Sequence, residues 1–176
     1  MSGRRHCDEL LSVLAVMERG LRAPLEGISQ AHLNHVFAPN KMTIGQTAVH
    51  TMAWPRYFLS EEKPWEVVEW TCRPCEYPLA TAFVSAVIDD GVDAIRETLE
   101  RINDAGLEAR PDGMKGPGYI ICRVLLHTMV HANQMSYLRQ LLGPDWKFGR
   151  HFGDMATAYI RVSYHTEPPQ SGVRGF

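Results

Sequence analysis

The 176-residue chain is long enough for one domain with a sizeable core, and its 45% hydrophobic and 22% charged residues are typical of a globular protein. A formal net charge of −2 gives no electrostatic reason to expect nucleic acid or an anionic membrane as a partner. No apolar run approaches the roughly 20 residues of a membrane span, and the N-terminus lacks the apolar stretch of a secretory signal. We therefore expect a cytoplasmic protein whose four cysteines are reduced.

Two amphipathic helices are predicted in the first third of the chain. Apolar residues recur at helical spacing within residues 8–21, and Pro24 ends this segment. Thr43, with Gln46 three residues later, has the pattern of a capping box at the start of the second helix. Pro55 lies inside this second helix and lacks a backbone donor, so it is predicted to kink or divide the helix.

Two further helices are predicted after the second. Residues 77–104 have one apolar stripe at helical spacing, and residues 119–142 form a longer segment that Gly143 and Pro144 end. The residues of the first stripe are Phe83, Val87, Ile95, Leu99 and Ile102.

The four segments together predict an all-α four-helix bundle for residues 1–142, because no comparable strand pattern separates them. A long aromatic connector, residues 59–77, joins the second and third helices. Residues 143–176 are expected as an irregular C-terminal extension that packs on the bundle or trails from it. Within this extension, the alternating residues 157–164 are predicted as a short strand or an extended segment.

Three histidines on the predicted helices are candidate metal ligands. His127 and His131 are four residues apart on the fourth helix, and this spacing lets two imidazoles reach one ion. Gln134 shares their face, and we predict that this face points at the core. His50 lies on the second helix, on one face with Trp54, Gln46 and Tyr57.

The alternative is that each imidazole is an ordinary buried residue with its own hydrogen-bond partner. Three buried imidazoles would then need three separate partners, whereas one shared ion would satisfy all of them. The pattern therefore favours a divalent-metal site made by His50, His127 and His131.

Two motifs resemble the DinB/YfiT-like metalloenzyme superfamily. They are "TIGQTAVHTMAW", which contains His50, and "LLHTMVHANQMSYLRQLLG", which contains His127 and His131. The resemblance covers about residues 8–142, and it implies a four-helix bundle with one ion held by the three histidines. Pro55 and the long C-terminal extension depart from the family pattern. The resemblance implies that, in relatives, the metal activates a low-molecular-weight thiol for transfer or isomerisation, or supports hydrolysis.

The ion and the reaction follow from this site as expectations. Zinc or nickel is expected, with iron, manganese or copper as alternatives, because imidazole ligands suit all of them. An open coordination position would lower the pKa of a bound water or thiol. We expect a thiol S-transferase or isomerase acting on a small electrophile. The alternatives are a metal-dependent hydrolase and a non-catalytic, metal-binding stress-response bundle; a bis-histidine haem bundle is disfavoured because three histidines converge.

Six other residues are considered for the predicted site and surface. Gln134 is predicted to orient a histidine or to hydrogen-bond the bound water or substrate; the alternative is a hydrogen bond to a neighbouring helix with no chemical role. Tyr57 is predicted to donate a hydrogen bond to substrate, with an ordinary core aromatic as the alternative. Cys72 and Cys75 form a single CxxC, which is weak evidence for zinc, so they are interpreted as structural or incidental thiols. The connector tryptophans, Trp65 and Trp70, are expected to support a homodimer contact. No nucleic acid or membrane partner is expected.

Overall fold

The predicted all-helical fold is confirmed by the computed structural model, which describes residues 3–59, 65–72, 77–109, 116–143, 145–147, 149 and 151–163 and contains no strand among them. A 3₁₀ helix covers Ala23–Leu25. The α-helices in these residues are α1 (Arg5–Arg22), α2 (Gln30–Leu33), α3 (Ile44–Leu59), α4 (Trp65–Thr71), α5 (Thr81–Arg101), α6 (Asp104–Glu108), α7 (Pro117–Leu142) and α8 (His151–Ser163). None of them is long and apolar enough to cross a membrane.

The four predicted helices correspond to α1, α3, α5 and α7. Helix α3 packs most extensively on α5 and α7, and α1 packs on the same two helices. The core between these helices is apolar and includes Leu14, Ile88 and Leu125, each at most 3% exposed. Helix α3 therefore lies beside α7, and this pairing decides which side chains of the two helices can meet.

The start of α3 is fixed by the predicted capping box. Backbone N–H of Gln46 donates to Oγ1 of Thr43 over 3.2 Å, and backbone N–H of Thr43 donates to Oε1 of Gln46 over 3.2 Å. Helix α3 continues without interruption to Leu59, so Pro55 does not divide it, and the predicted kink stays a prediction. Pro55 is buried, and packing of α3 against its neighbours offsets the one lost backbone hydrogen bond.

The predicted stripe of α5 is confirmed at Ile95 and Leu99, which are buried, and is wrong nearer the start of the helix. Val84 and Ile88 are buried, whereas Phe83 is exposed and Val87 is half-buried. Gly91 marks a close approach of α5 to α3, because a Cβ atom there would lie 2.5 Å from the carbonyl oxygen of Met52. Only glycine lets α5 approach the α3 backbone this closely. The core face of α5 is therefore centred on Gly91.

The C-terminal extension and the connector are more regular than predicted. Residues 151–163 form α8, so the prediction of a strand or extended segment is wrong as far as Ser163; residue 164 lies outside the described residues. Helix α8 packs on α1 and α7 through buried side chains such as Met155 and Ala158. In the connector, Trp65–Thr71 form α4, which packs on α3 and completes one side of the histidine site.

Candidate metal centre

The structure brings the three predicted histidines together where α3 faces α7. His50 lies in the middle of α3 and is 9% exposed, whereas His127 and His131 of α7 are half-buried. One ring nitrogen from each histidine lies within 4.8 Å of the other two. The His127 and His131 Nε2 atoms are 3.0 Å apart, and the His50 ring centroid lies 5.2 Å from each of their centroids.

Helix α7 is rotated relative to the sequence prediction. The face that packs into the core carries Val124 and Thr128, and the histidines lie on its flank. Gln134, predicted to face the core with the histidines, is exposed. The same rotation leaves Ile120 and Leu138, which lie at helical spacing from the histidines, only half-buried. The histidine site is consequently closed by α3 on one side and open towards solvent on another.

The orientation of His50 is set by the end of α4. Thr71 is buried, and its hydroxyl donates to the carbonyl oxygen of Val68 over 2.7 Å. The same Oγ1 lies 3.5 Å from Nδ1 of His50, so towards the imidazole it acts as an acceptor. The Cys72 Sγ atom lies 3.7 Å from the same nitrogen. This arrangement favours the tautomer of His50 with a proton on Nδ1 and a lone pair on Nε2.

His131 is oriented in the same way by a residue of its own helix. Its Nδ1 atom lies 2.7 Å from Oε1 of Gln134, three residues further along α7. A carbonyl oxygen only accepts, so Nδ1 of His131 is the donor and Nε2 retains its lone pair. The predicted role of Gln134 in orienting a histidine is therefore compatible with its position, although Gln134 itself is exposed.

His127 is the histidine whose second nitrogen lacks a partner among the described residues. Its Nδ1 atom is buried and no described group forms a hydrogen bond with it. Its Nε2 atom can donate to the lone pair of His131 Nε2 while no ion is bound, since the two atoms are 3.0 Å apart. A cation shared by both Nε2 atoms would replace that proton.

Burial keeps these imidazoles neutral. Burial, with the charge on His131, lowers the pKa of His50 to about 4. Burial, with the charges on His131, His50 and Arg123, lowers the pKa of His127 to about 3. Burial also lowers the pKa of His131, while the hydrogen bond to Gln134 opposes this shift. All three side chains are thus in the unprotonated form that a metal requires at neutral pH.

The cluster fits one divalent ion. At metal–nitrogen distances of about 2.0–2.1 Å in a tetrahedral site, two ligand nitrogens are about 3.3–3.4 Å apart. The pair at 3.0 Å is close to this separation, and the 4.8 Å span of the cluster requires side-chain shifts that total about 1.5 Å. Three neutral imidazoles suit zinc, nickel, iron or copper, so the donor set does not select one of them.

Aromatic side chains of α3 and α4 border the histidines. The Trp54 ring lies 6.1 Å from the His50 ring and 6.4 Å from the His127 ring, both edge-on. Tyr57 packs against Trp54 and Trp65, with ring centroids 6.2 and 5.5 Å apart. The Trp54 ring therefore contacts both Tyr57 and the rings of His50 and His127.

Sequence reasoning missed the part of the site that α4 supplies. No motif marks Thr71, and the CxxC pattern of Cys72 with Cys75, which lies outside the described residues, does not indicate a place beside His50. Cys72, the described member of this pair, is a free thiol beside His50. No periodicity in the connector indicates that it folds back on α3, so only a three-dimensional structure could reveal these two neighbours.

No protein-family model, curated protein or solved structure matches the chain. The resemblance to the DinB/YfiT-like superfamily therefore remains a prediction that rests on the two histidine motifs.

Proposed function

We propose that this protein is a metal-dependent enzyme of the DinB/YfiT-like type, in which a four-helix bundle of α1, α3, α5 and α7 holds one divalent ion through His50, His127 and His131. Its reaction would be the transfer of a low-molecular-weight thiol to a small electrophile, or an isomerisation that uses such a thiol. The observation that carries the proposal is the meeting of three neutral imidazoles on a flank that is open to solvent. A closed structural site would instead surround the ion with four protein ligands.

In this proposal, one set of residues would hold the ion and another set would bind the substrate. When bound by three neutral imidazoles, a divalent ion supplies Lewis acidity and lowers the pKa of a water or thiol in an open position. Thr71 and Gln134 hold the His50 and His131 rings through their Nδ1 atoms, so both Nε2 lone pairs stay directed at the site. Burial against Trp54 limits the access of water on that side.

The substrate side would be formed by α3, α4 and the adjoining part of α7. Trp54 and Trp65, whose rings are 6.3 Å apart, offer an apolar surface to the electrophile. Tyr57 is the proposed hydrogen-bond donor to substrate, from its place behind these two rings. Arg123, exposed one turn before His127, adds positive charge that attracts an anionic group such as a thiolate.

Metal content of untagged protein tests the site. We expect about one divalent ion per chain, and a sharp loss of metal when His50, His127 or His131 is replaced by alanine. His35→Ala is the matched control, because His35 is exposed and outside the cluster. Unchanged stoichiometry in all three ligand variants would refute the metal site.

A second experiment separates the enzyme from a non-catalytic metal protein. Cobalt-substituted protein would be titrated with glutathione, mycothiol and bacillithiol, and each thiol would be assayed with a panel of electrophiles. We expect at least one thiol to change the cobalt spectrum and to support turnover. If water alone supports turnover, the protein is a hydrolase. If the spectrum stays unchanged and nothing turns over, the ion is structural.

A further inference from the structure

A cavity of about 180 Å³ lies in a part of the bundle that the histidine cluster does not reach. The end of α1, the 3₁₀ helix, α2 and the first two turns of α5 line it, whereas the histidines lie on α3 and α7. Its base is apolar and consists of Leu25, Leu33, Val84 and Ile88. The last three of these belong to the core and are at most 1% exposed. The cavity therefore reaches the core, and it shares no residue with the candidate metal centre.

Hydrogen bonds hold α2 against the start of α5, so the walls of this cavity are fixed. The side-chain amide of Gln30 donates to the carbonyl oxygen of Leu79, and the Thr81 hydroxyl donates to Oε1 of Gln30 over 3.2 Å. Nδ2 of Asn34 donates to the same Leu79 carbonyl over 3.0 Å, and Leu79 N–H donates to Oδ1 of Asn34 over 2.6 Å. Sites for small molecules are usually formed in advance in this way.

A tight turn places Glu26 at the mouth of the cavity. Backbone N–H of Ile28 donates to the carbonyl oxygen of Leu25 over 3.2 Å. Glu26 has φ −61° and ψ 122°, and Gly27 has φ +61°, which fits a type II turn. A positive φ at this position favours glycine. The Glu26 carboxylate is thus positioned by the backbone rather than by an ion pair.

Charge at the mouth favours a cation. The Arg22 guanidinium lies 3.0 Å from Glu18 and 2.5 Å from Asp89, so two carboxylates already neutralise it. Glu26 is exposed and forms no ion pair with a described residue. The end of α1 and the start of α5 carry opposite partial charges of about half a unit, which nearly cancel here. The full negative charge of Glu26 therefore decides the sign that a ligand must carry.

We propose that this cavity binds a small primary amine whose apolar part is about the size of one six-membered ring. An apolar cavity of about 150 Å³ accommodates benzene, so this volume suits one ring with a short arm. The ring would pack on Leu33, Val84 and Ile88. The ammonium group would donate to the Glu26 carboxylate and to the Ser85 hydroxyl, which lines the cavity and has no hydrogen-bond partner among the described residues.

Calorimetric titration with benzylamine, benzyl alcohol and benzoate at pH 7 tests the ligand class. The full chain would be treated with a chelator, so that the amine cannot bind through a metal. We expect one benzylamine per chain with a dissociation constant of about 0.1–1 mM. Benzyl alcohol should bind about fivefold more weakly, because it lacks the charge that pairs with Glu26, and benzoate more weakly still.

The proposal makes two results unacceptable in this titration. Benzylamine that does not bind saturably would overturn the site, and benzoate that binds as tightly as benzylamine would overturn the ligand class. His131→Ala should bind benzylamine as wild type does, because the cavity is separate from the histidines. Failure here is therefore distinguishable from failure of the metal site.

Two variants locate the amine and the ring. Glu26→Gln should weaken benzylamine binding by about fivefold and leave benzyl alcohol unchanged. Ser85→Phe should fill the cavity and abolish binding of both. Glu108→Gln and Ala82→Phe are the matched controls, because both positions are exposed and do not line the cavity. Unchanged benzylamine binding by Ser85→Phe would place the amine elsewhere and overturn the proposal.

Nuclear Overhauser contacts in the wild-type protein supply a test that does not depend on how Ser85→Phe folds. We expect contacts between the ring protons of benzylamine and the methyl groups of Leu33, Val84 and Ile88. Contacts only with methyl groups outside the cavity would contradict the proposed site.

Discussion

The two helices that supply the histidines are held in different ways. Every residue of α3 from Ile44 to Ala53 is buried, its start is capped by Thr43 and Gln46, and α5 approaches its backbone at Gly91. Helix α7 packs into the core on one side only, and its outer side is apolar and exposed. His50 is therefore fixed by its surroundings, whereas His127 and His131 lie on a flank.

This difference indicates how the site is assembled. The imidazole of His50 is held in one position. The side chains of His127 and His131 can move slightly towards it, because they lie on a half-buried flank of α7. Without a bound cation, contact between α3 and α7 at this point consists of three neutral rings, one of which has a buried Nδ1 atom with no partner among the described residues. An ion bound by all three histidines would link α3 to α7. Four experiments can test this difference between the two helices.

Removing the metal should have the largest effect. An ion that binds only the folded protein stabilises it by about 4 kcal/mol at a free concentration 1,000 times the dissociation constant. Chelator-treated protein should therefore unfold at a clearly lower urea concentration than metal-loaded protein. His131→Ala should show no metal-dependent difference, while His35→Ala should behave as wild type. An equal metal effect in His131→Ala would show that the ion binds elsewhere.

Acidification should be the next largest effect on the metal-free protein. The pKa of His50 is lowered from 6.5 to about 4 and that of His127 to about 3, so between these values and pH 6.5 the unfolded chain binds protons that the folded chain does not. Stability must then fall as the pH is lowered from 6.5 towards 4. The His50 shift corresponds to at most about 3 kcal/mol. Below the folded-state pKa values, these two histidines cause no further loss of stability.

Urea midpoints of chelator-treated protein from neutral pH to pH 4 would measure this loss. His127→Leu should have a shallower pH dependence, because it removes one imidazole that must stay neutral when folded. His35→Leu, at an exposed position, is the matched control and should follow the wild type. A wild-type midpoint that does not change across this range would contradict the burial of the cluster.

Gly91→Ala should disturb the fixed helix by an intermediate amount. The added Cβ would lie 2.5 Å from the carbonyl oxygen of Met52, so α5 must move away from α3. Such overpacking destabilises by about 1–3 kcal/mol. Gly153→Ala in α8 is the matched control, since a Cβ there meets nothing within 4 Å, and it should be neutral or slightly stabilising. Equal stability of the two variants would show that the close approach at Gly91 is not important.

The presence of the four long helices and the identity of the three clustered histidines could be predicted from sequence, because both depend on the spacing of residues along the chain. The Thr43–Gln46 cap formed as expected for the same reason. The burial of Val84 and Ile88 in place of Phe83 and Val87, and the rotation of α7, could not be predicted, since they depend on which neighbour each helix meets. Gly91 of α5 contacts Met52, and α7 has two apolar faces that compete for the core. Periodicity identifies an apolar face, and it does not say which of two such faces is buried.

The C-terminal extension and α4 show a second limit. Alternating residues in 157–164 suggested a strand, but Met155 and Ala158 are buried on one side of a helix that packs on α1 and α7. Thr71 had no recognisable motif, because its relation to His50 arises from a fold-back of the connector. Tertiary packing overrode local preference in the first case and created the contact in the second.

The smallest predicted effect comes from the two groups that orient the histidines. Thr71→Val removes the acceptor near Nδ1 of His50, and Gln134→Leu removes the acceptor of His131. Outer partners of this kind contribute about 10–100-fold in metal affinity. Thr71 is buried, so no water can replace its hydroxyl, and its variant should approach the upper part of this range.

Gln134 is exposed, so water can take over the hydrogen bond to His131, and Gln134→Leu should weaken metal binding by about tenfold or less. Competition titrations with a chromophoric chelator would measure both affinities. Thr98→Val and Gln140→Leu are the matched controls: Thr98 is buried in α5 and bonded to the Ala94 carbonyl oxygen over 2.8 Å, and Gln140 is exposed on α7. A larger loss of metal affinity for Gln134→Leu than for Thr71→Val would contradict this contrast. It would show that His131 depends more on its orienting group than His50 does.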